Sequence, residues 1–143
     1  GCSWGRPRLR TATMVQVEAL PDPRMRARAR HVVTENQRVL DARDALRAGD
    51  MARFGALMTQ SHHSLSADFQ TSTREVDALV ESCLGRGVLG ARITGAGFGG
   101  CIVVLVECGA EAGLVTSLRY AHPQAWLVAT STATRSARAL GEG

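Results

Sequence analysis

A glycine-rich segment in the second half of the chain carries the residue types best suited to holding phosphate. Its members are Thr94, Gly95, Ala96, Gly97, Phe98, Gly99 and Gly100. Residues without a Cβ let the backbone adopt positive φ and approach a ligand closely, and exposed N–H groups can form an anion-binding nest. The sequence therefore predicts a loop close to a phosphate or nucleotide, with Thr94 favoured as support for the loop backbone over a hydroxyl donor to phosphate. The alternative is a tight hairpin loop that only packs against a neighbouring element.

The glycine spacing matches several known phosphate loops, and the surrounding residues decide among them. Gly95, Gly97 and Gly100 satisfy GxGxxG, but a dinucleotide-binding loop should open a helix, whereas Cys101–Val106 is β-branched and strand-like. A Walker loop requires a lysine, and the chain contains none. The glycine flap of protein kinases fits the local order, but its partner lysine and its HRD and DFG motifs are absent. With these three motifs excluded, the sequence predicts only the local order of a strand, a glycine loop and a second strand.

Other polar residues give weaker signals, and none is predicted to be catalytic. Asp68 and Glu75 flank a predicted helix start, which favours a surface acid and a capping residue over a catalytic pair. His62 and His63 are adjacent, so on a helix they point about 100° apart and do not clamp one metal ion. The cysteines lack CxxC spacing, which favours reduced thiols and no metal site, at Cys2, Cys83, Cys101 and Cys108.

Three helices are predicted before the glycine-rich segment. After the turn signal at 21–23, apolar residues at spacings of three and four predict a helix with one buried face over 29–40. Gly49–Asp50 interrupts this pattern, and Asp50 is a plausible N-cap for a second helix that reaches Phe69. The residues 72–75 match a capping box that would start the third helix.

The segment around the glycines has the pattern of strands. Ala91–Thr94 is short and extended, and Cys101–Val106 is an apolar run of strand length. A helix is predicted over Ala110–Tyr120 and a final strand over Ala125–Thr130. Helices followed by β, α and β elements predict an α+β fold, with an antiparallel sheet covered by helices.

Composition narrows the function classes. With 143 residues, 45% of them hydrophobic, the chain can form one core. The net charge of +4 comes from dispersed arginines, and only 4% of residues are aromatic, so we expect no nucleic-acid partner. The sequence has neither an apolar run of about 20 residues nor the core of a secretory signal, so we expect no membrane partner and a cytoplasmic location. Because the first residue is Gly1, we also expect a fragment of a longer protein.

Gly90–Cys101 closely resembles the third signature motif of galactokinases, which are sugar kinases of the GHMP superfamily. The upstream stretches 30–40, 49–58 and 61–80 resemble further family blocks in the same order and spacing. The resemblance covers about residues 8–140 and is weaker at the end. It implies a GHMP-kinase C-terminal domain over 21–143, preceded by a remnant of the inter-domain region over 1–20.

The resemblance also implies a reaction, in which ATP with Mg²⁺ phosphorylates D-galactose at C1. The family's Gly-Glu-His-Thr-Asp sugar motif and Gly-Leu-Ser-Ser-Ser phosphate loop have no counterpart in this chain. We therefore expect the catalytic residues and most of the ATP and Mg²⁺ contacts in a missing N-terminal kinase domain, and little activity from this chain alone. The alternative is a stand-alone, non-catalytic module that binds a small molecule or a protein and retains the fold.

Overall fold

The computed structural model describes residues 11–85, 87–95, 100–128 and 130–131, in which helices cover a small antiparallel sheet. The elements in chain order are α1 Met14–Glu18, α2 Pro23–Ala48, α3 Met51–Ser64, a π-helical turn Leu65–Phe69, α4 Arg74–Cys83, β1 Val88–Thr94, β2 Cys101–Val106 and α5 Glu111–Ala121. The predicted α+β class is confirmed. Within the described ranges, no helix combines the length and apolar character needed to cross a membrane.

Side-chain caps define the boundary between the two long helices. Asp22 accepts a hydrogen bond from the backbone N–H of Arg24 at 2.8 Å and starts α2. Gly49 ends it in the left-handed region at φ 71°, where glycine has no Cβ penalty. Asp50 then accepts from the N–H of Arg53 at 2.9 Å and starts α3. The predicted interruption at Gly49–Asp50 and the predicted N-cap are confirmed.

The start of α4 differs from the prediction by one residue. Thr73 has the extended backbone of an N-cap, and its hydroxyl accepts from the N–H of Val76 at 3.3 Å. Glu75 is therefore the second residue of the helix, one position too early to complete the capping box predicted from Ser72. The box is wrong, although the helix itself is present.

The two strands pair through a register that runs from Val88↔Val106 to Thr94↔Cys101. A register shift between Val88 and Gly90 leaves Leu89 as an extra residue. One face of the sheet packs on α4 and α5. The core on that face contains Val80, Cys83 and Ala91, with Ile102, Val104, Leu114 and Leu118 packed against it.

Two glycines allow α3 to lie directly against β1. A Cβ built on Gly90 would lie 1.9 Å from the carbonyl oxygen of Gly55, and one built on Gly55 would lie 2.2 Å from the carbonyl oxygen of Leu89. These contacts are backbone to backbone, so no side-chain movement could relieve them. The absence of a side chain at both positions therefore allows this helix and the strand to come this close.

The last predicted elements have different outcomes. The helix predicted over Ala110–Tyr120 is confirmed as α5. The strand predicted over Ala125–Thr130 is wrong for its described residues, which form no regular structure. Trp126 and Val128 are 81% and 73% exposed. A strand requires a neighbouring edge, and within the described ranges β1 and β2 pair only with each other.

Candidate functional site

Thr94 and Cys101, the paired ends of the two strands, flank the glycine-rich segment, and both strands were predicted. The base of the glycine loop is formed by Thr94 at the end of β1 and by Gly95 and Gly100, all of which are exposed. Gly95 has φ 84°, and a Cβ there would meet nothing within 4 Å. The backbone conformation, not crowding, therefore requires glycine at this position. The remaining loop residues lie outside the described ranges, namely Ala96, Gly97, Phe98 and Gly99.

The outer edge of β1 is held by side chains of α3. The N–H groups of alternate strand residues point to the same side, and those of Ala91 and Ile93 point away from β2. Thr59 Oγ1 accepts from the Ala91 N–H at 3.2 Å, and His62 Nδ1 accepts from the Ile93 N–H at 3.3 Å. The strand that leads into the glycine loop is thus fixed on one side by β2 and on the other by α3.

His62 is 1% exposed and is engaged through both ring nitrogens. Because a backbone N–H can only donate, Nδ1 is unprotonated and the proton is on Nε2, which lies 3.1 Å from Asp77 Oδ1. The two groups are not aligned as an ideal hydrogen bond, but at this distance the carboxylate still favours a proton on Nε2. Burial lowers the pKa of His62 below its ordinary value of 6.5, against the opposing charge of Asp77.

Asp77 connects this histidine to the π-helical turn. Its Oδ2 accepts from Ser66 Oγ at 2.7 Å. Burial raises the pKa of Asp77, but hydroxyls of Ser66 and Ser72 and the nearby His62 outweigh that effect and lower the pKa below 3.8. The carboxylate is therefore ionised near neutral pH, as its contact with Nε2–H requires.

A second buried histidine joins α2 to the end of α3. His31 Nδ1 lies 2.9 Å from Ser64 Oγ, and that hydroxyl donates to Asp68 Oδ2 at 3.0 Å, so Nδ1 carries a proton that it donates to Ser64. Burial lowers the pKa of His31 despite the charge of Glu35. Asp68 is therefore not the surface acid predicted from sequence, because it closes a partly buried network.

The adjacent histidines on α3 have separate surroundings. His63 is exposed and pairs with the exposed Glu81 at 3.0 Å, while His62 faces β1 and Asp77. The interpretation that one of them packs against a missing domain is wrong for His62, which packs inside this chain. Glu75 is exposed in the first turn of α4.

An apolar cleft of about 360 Å³ lies between the two long helices and β2. Its walls include Val39, Ala42, Phe54, Leu57, Met58 and Val103. At one end Glu35 pairs with Arg38, accepts from Ser61 Oγ at 2.5 Å and lies 3.8 Å from Arg92. One carboxylate thus lies beside two arginines at this end, and the rest of the cleft presents mainly carbon to solvent.

The family model for the C-terminal region of GHMP kinases matches residues 42–117, just over half of the chain. The chain belongs to this GHMP kinase family. The matched range contains α3, α4, both strands and most of α5. It therefore includes the glycine loop and the side chains that hold its base.

The proteins similar to this chain include galactokinases. That of Roseiflexus sp. (strain RS-1) is 56% identical over 89 residues, which are 62% of this chain and 22% of the relative. That of Bos taurus is 48% identical over 110 residues, 74% of this chain and 28% of the relative. The crystal structure of Lactococcus lactis galactokinase complexed with galactose matches with a TM-score of 0.77 and 35% identity, over 82% of this chain and 32% of that chain. The chain thus spans about a quarter of the length of these curated relatives.

Sequence patterns located the loop but not the side chains that hold its base. The block Ser61–Phe69 resembles a family stretch, and this resemblance is the signal that could have singled out His62. Its contact with Ile93 crosses 31 positions of the chain, and periodicity on α3 does not reveal which strand atom a buried ring meets.

Proposed function

We propose that this chain is the C-terminal part of a galactokinase, an enzyme that transfers a phosphoryl group from ATP to the C1 hydroxyl of D-galactose. The observation that carries the proposal is the identity of 56% to the Roseiflexus galactokinase, joined to a fold match with a galactokinase that was crystallised with galactose. On this proposal the domain comprises residues 21–143, and residues 1–20 belong to the inter-domain region. A cytoplasmic location is part of the proposal, because ATP is a cytoplasmic phosphoryl donor.

The contribution of this chain is a wall beside the phosphates of the nucleotide. The base of the glycine loop suits that role, because Gly95 has positive φ, is exposed and leaves open space where a side chain would stand. ATP supplies the phosphoryl group, and the loop glycines let backbone N–H groups approach its phosphates. Thr94 supports the loop backbone. Phosphoryl transfer depends on positioning and charge stabilisation, so small errors in this wall reduce turnover.

Magnesium and galactose are assigned to the rest of the enzyme. The described residues contain no group of three or more histidine, cysteine or carboxylate side chains arranged to hold a metal ion. Because the family's sugar motif and main phosphate loop have no counterpart in this chain, the proposal places the Mg²⁺ ligands, the sugar-binding residues and the catalytic base in the N-terminal kinase domain. The coding sequence upstream of Gly1 tests this directly, because it should encode in-frame Gly-Glu-His-Thr-Asp and Gly-Leu-Ser-Ser-Ser motifs. An upstream stop codon without either motif would favour the stand-alone binding module.

The role of the loop is tested in a graft, defined as the Roseiflexus galactokinase in which the matching C-terminal part is replaced by this chain. In this graft, Gly97→Val should raise the KM for ATP and lower kcat far more than it lowers the melting temperature. The proposed role requires a backbone that comes close to a phosphate, and a β-branched side chain in such a loop adds roughly 1–3 kcal/mol of local strain. A large loss of melting temperature with near-normal kinetics would instead identify a packing loop.

A further inference from the structure

The edge of β1 that faces α3 contains a hydrogen bond that can position the base of the glycine loop. We propose that His62 is a positioning residue that sets the direction of the loop base at Thr94 and Gly95 by holding the N–H of Ile93. This inference rests on the proposed function, because it names a residue that prepares the nucleotide site. His62 touches neither nucleotide nor sugar in this account and acts only through the strand.

The position of the contact along β1 is the first argument. Ile93 is two residues before Gly95, and the pairs Ile93↔Ile102 and Thr94↔Cys101 are the last two of the sheet before the loop. β2 holds only one edge of β1 there. The hydrogen bond from Ile93 to His62 holds the other edge, so a change at Nδ1 is transmitted to the loop base through two residues of extended backbone.

The fixed orientation of the ring is the second argument. Asp77 contacts Nε2 and is itself held by Ser66, so the ring is positioned from the side opposite Ile93. This arrangement keeps Nδ1 free of a proton and directed at the strand.

A matched pair of substitutions separates positioning from packing. Asparagine places its amide oxygen near the position of Nδ1 and can accept from Ile93, whereas glutamine extends toward the position of Nε2 and Asp77. His62→Asn should therefore retain the strand contact, and His62→Gln should lose it. Both substitutions remove the buried ring, so both should lower the melting temperature to a similar extent. His63→Asn is the control, because His63 is exposed on the same helix and contacts Glu81.

Steady-state kinetics of the graft give the first readout. We expect His62→Gln to raise the KM for ATP on the order of threefold to tenfold above that of His62→Asn, the range that one lost hydrogen bond produces. The KM for galactose should change less than about twofold in either variant, and His63→Asn should match the unsubstituted graft. Equal ATP parameters for the asparagine and glutamine variants, with only a shared loss of stability, would overturn the proposal.

A graft that folds without activity would contradict the proposed function and would give no kinetics for His62. The positioning role is therefore also tested by a measurement on this chain alone. Nuclear magnetic resonance of this chain should show the Nε2–H tautomer of His62 and a slowly exchanging amide of Ile93. That exchange should accelerate in His62→Gln and remain slow in His62→Asn. A proton on Nδ1, or an Ile93 amide that exchanges equally slowly in both variants, would contradict the contact whether or not the graft has activity.

Discussion

At the scale of single residues, two histidines illustrate how burial and partners set a protonation state. His31 and His62 are 6% and 1% exposed, and burial lowers the pKa of each below 6.5. Each ring uses one nitrogen as a donor, to Ser64 or toward Asp77. Protonation of His62 would place a second donor opposite the Ile93 N–H. The folded chain therefore favours the neutral form of both rings.

This preference predicts a pH dependence of stability. The unfolded chain binds protons at these histidines near pH 6.5, whereas the folded chain binds them only at lower pH, so the free energy of unfolding should decrease as pH falls below about 6.5. Each such proton contributes a slope of at most about 1.4 kcal/mol per pH unit. Asp77, whose pKa is below 3.8, adds a further decrease in stronger acid.

Urea denaturation between pH 7.5 and 5 measures this effect. His62→Asn should flatten the dependence of the free energy of unfolding on pH, because it removes one of the two buried histidines whose pKa is lowered. A free energy of unfolding that stays constant or rises as pH falls through this range would show that the buried rings are not held neutral.

At the scale of elements, α3 meets β1 through direct backbone contact at Gly55 and Gly90. Gly55 and Gly90 permit that approach, and the hydrogen bonds accepted by Thr59 and His62 use the proximity it creates. The helix therefore serves as a neighbour along one edge of β1. An edge strand that would otherwise expose unpaired N–H groups is covered in this way.

Two glycine-to-alanine substitutions should change stability in opposite directions. Gly90→Ala puts a Cβ 1.9 Å from the carbonyl oxygen of Gly55, so it should lower the free energy of unfolding by about 3 kcal/mol or more. Gly113→Ala lies in α5, where a Cβ would meet nothing within 4 Å, and it should raise stability by about 0.5 kcal/mol. Denaturant titration of both variants provides the comparison. Equal effects of the same sign would mean that α3 and β1 are not in direct backbone contact.

The elements also show what sequence can predict and why. The break at Gly49–Asp50 was predictable, because an αL glycine and an aspartate cap act within a few residues of themselves. The end of β1 at Thr94 and the start of β2 at Cys101 were also predictable, because glycines mark the boundary of a strand within a few residues of themselves. The segment Ala125–Thr130 has strand-forming residues, but a strand exists only when another edge pairs with it. The contact of His62 with Ile93 depends equally on packing over distance, so local patterns did not reveal it.

At the scale of the whole molecule, the described residues leave an apolar cleft and several large apolar side chains open to solvent. The cleft beside β2 is lined mainly by carbon, and Tyr120, Trp126 and Val128 are 94%, 81% and 73% exposed. Large exposed apolar patches mark surfaces that contact other protein. This surface suits a chain that, as proposed, is about a quarter of a galactokinase.

The most direct test of this account is galactose-dependent formation of ADP, measured side by side for the graft and for this chain alone. The graft should turn over at an ordinary rate for an enzyme, about 1 s⁻¹ or more, and produce galactose 1-phosphate. The chain alone should show no turnover above background, because the base, the metal ligands and the main phosphate loop are assigned to the rest of the enzyme. A well-folded graft without galactose-dependent turnover, or an ordinary rate from the chain alone, would contradict the account.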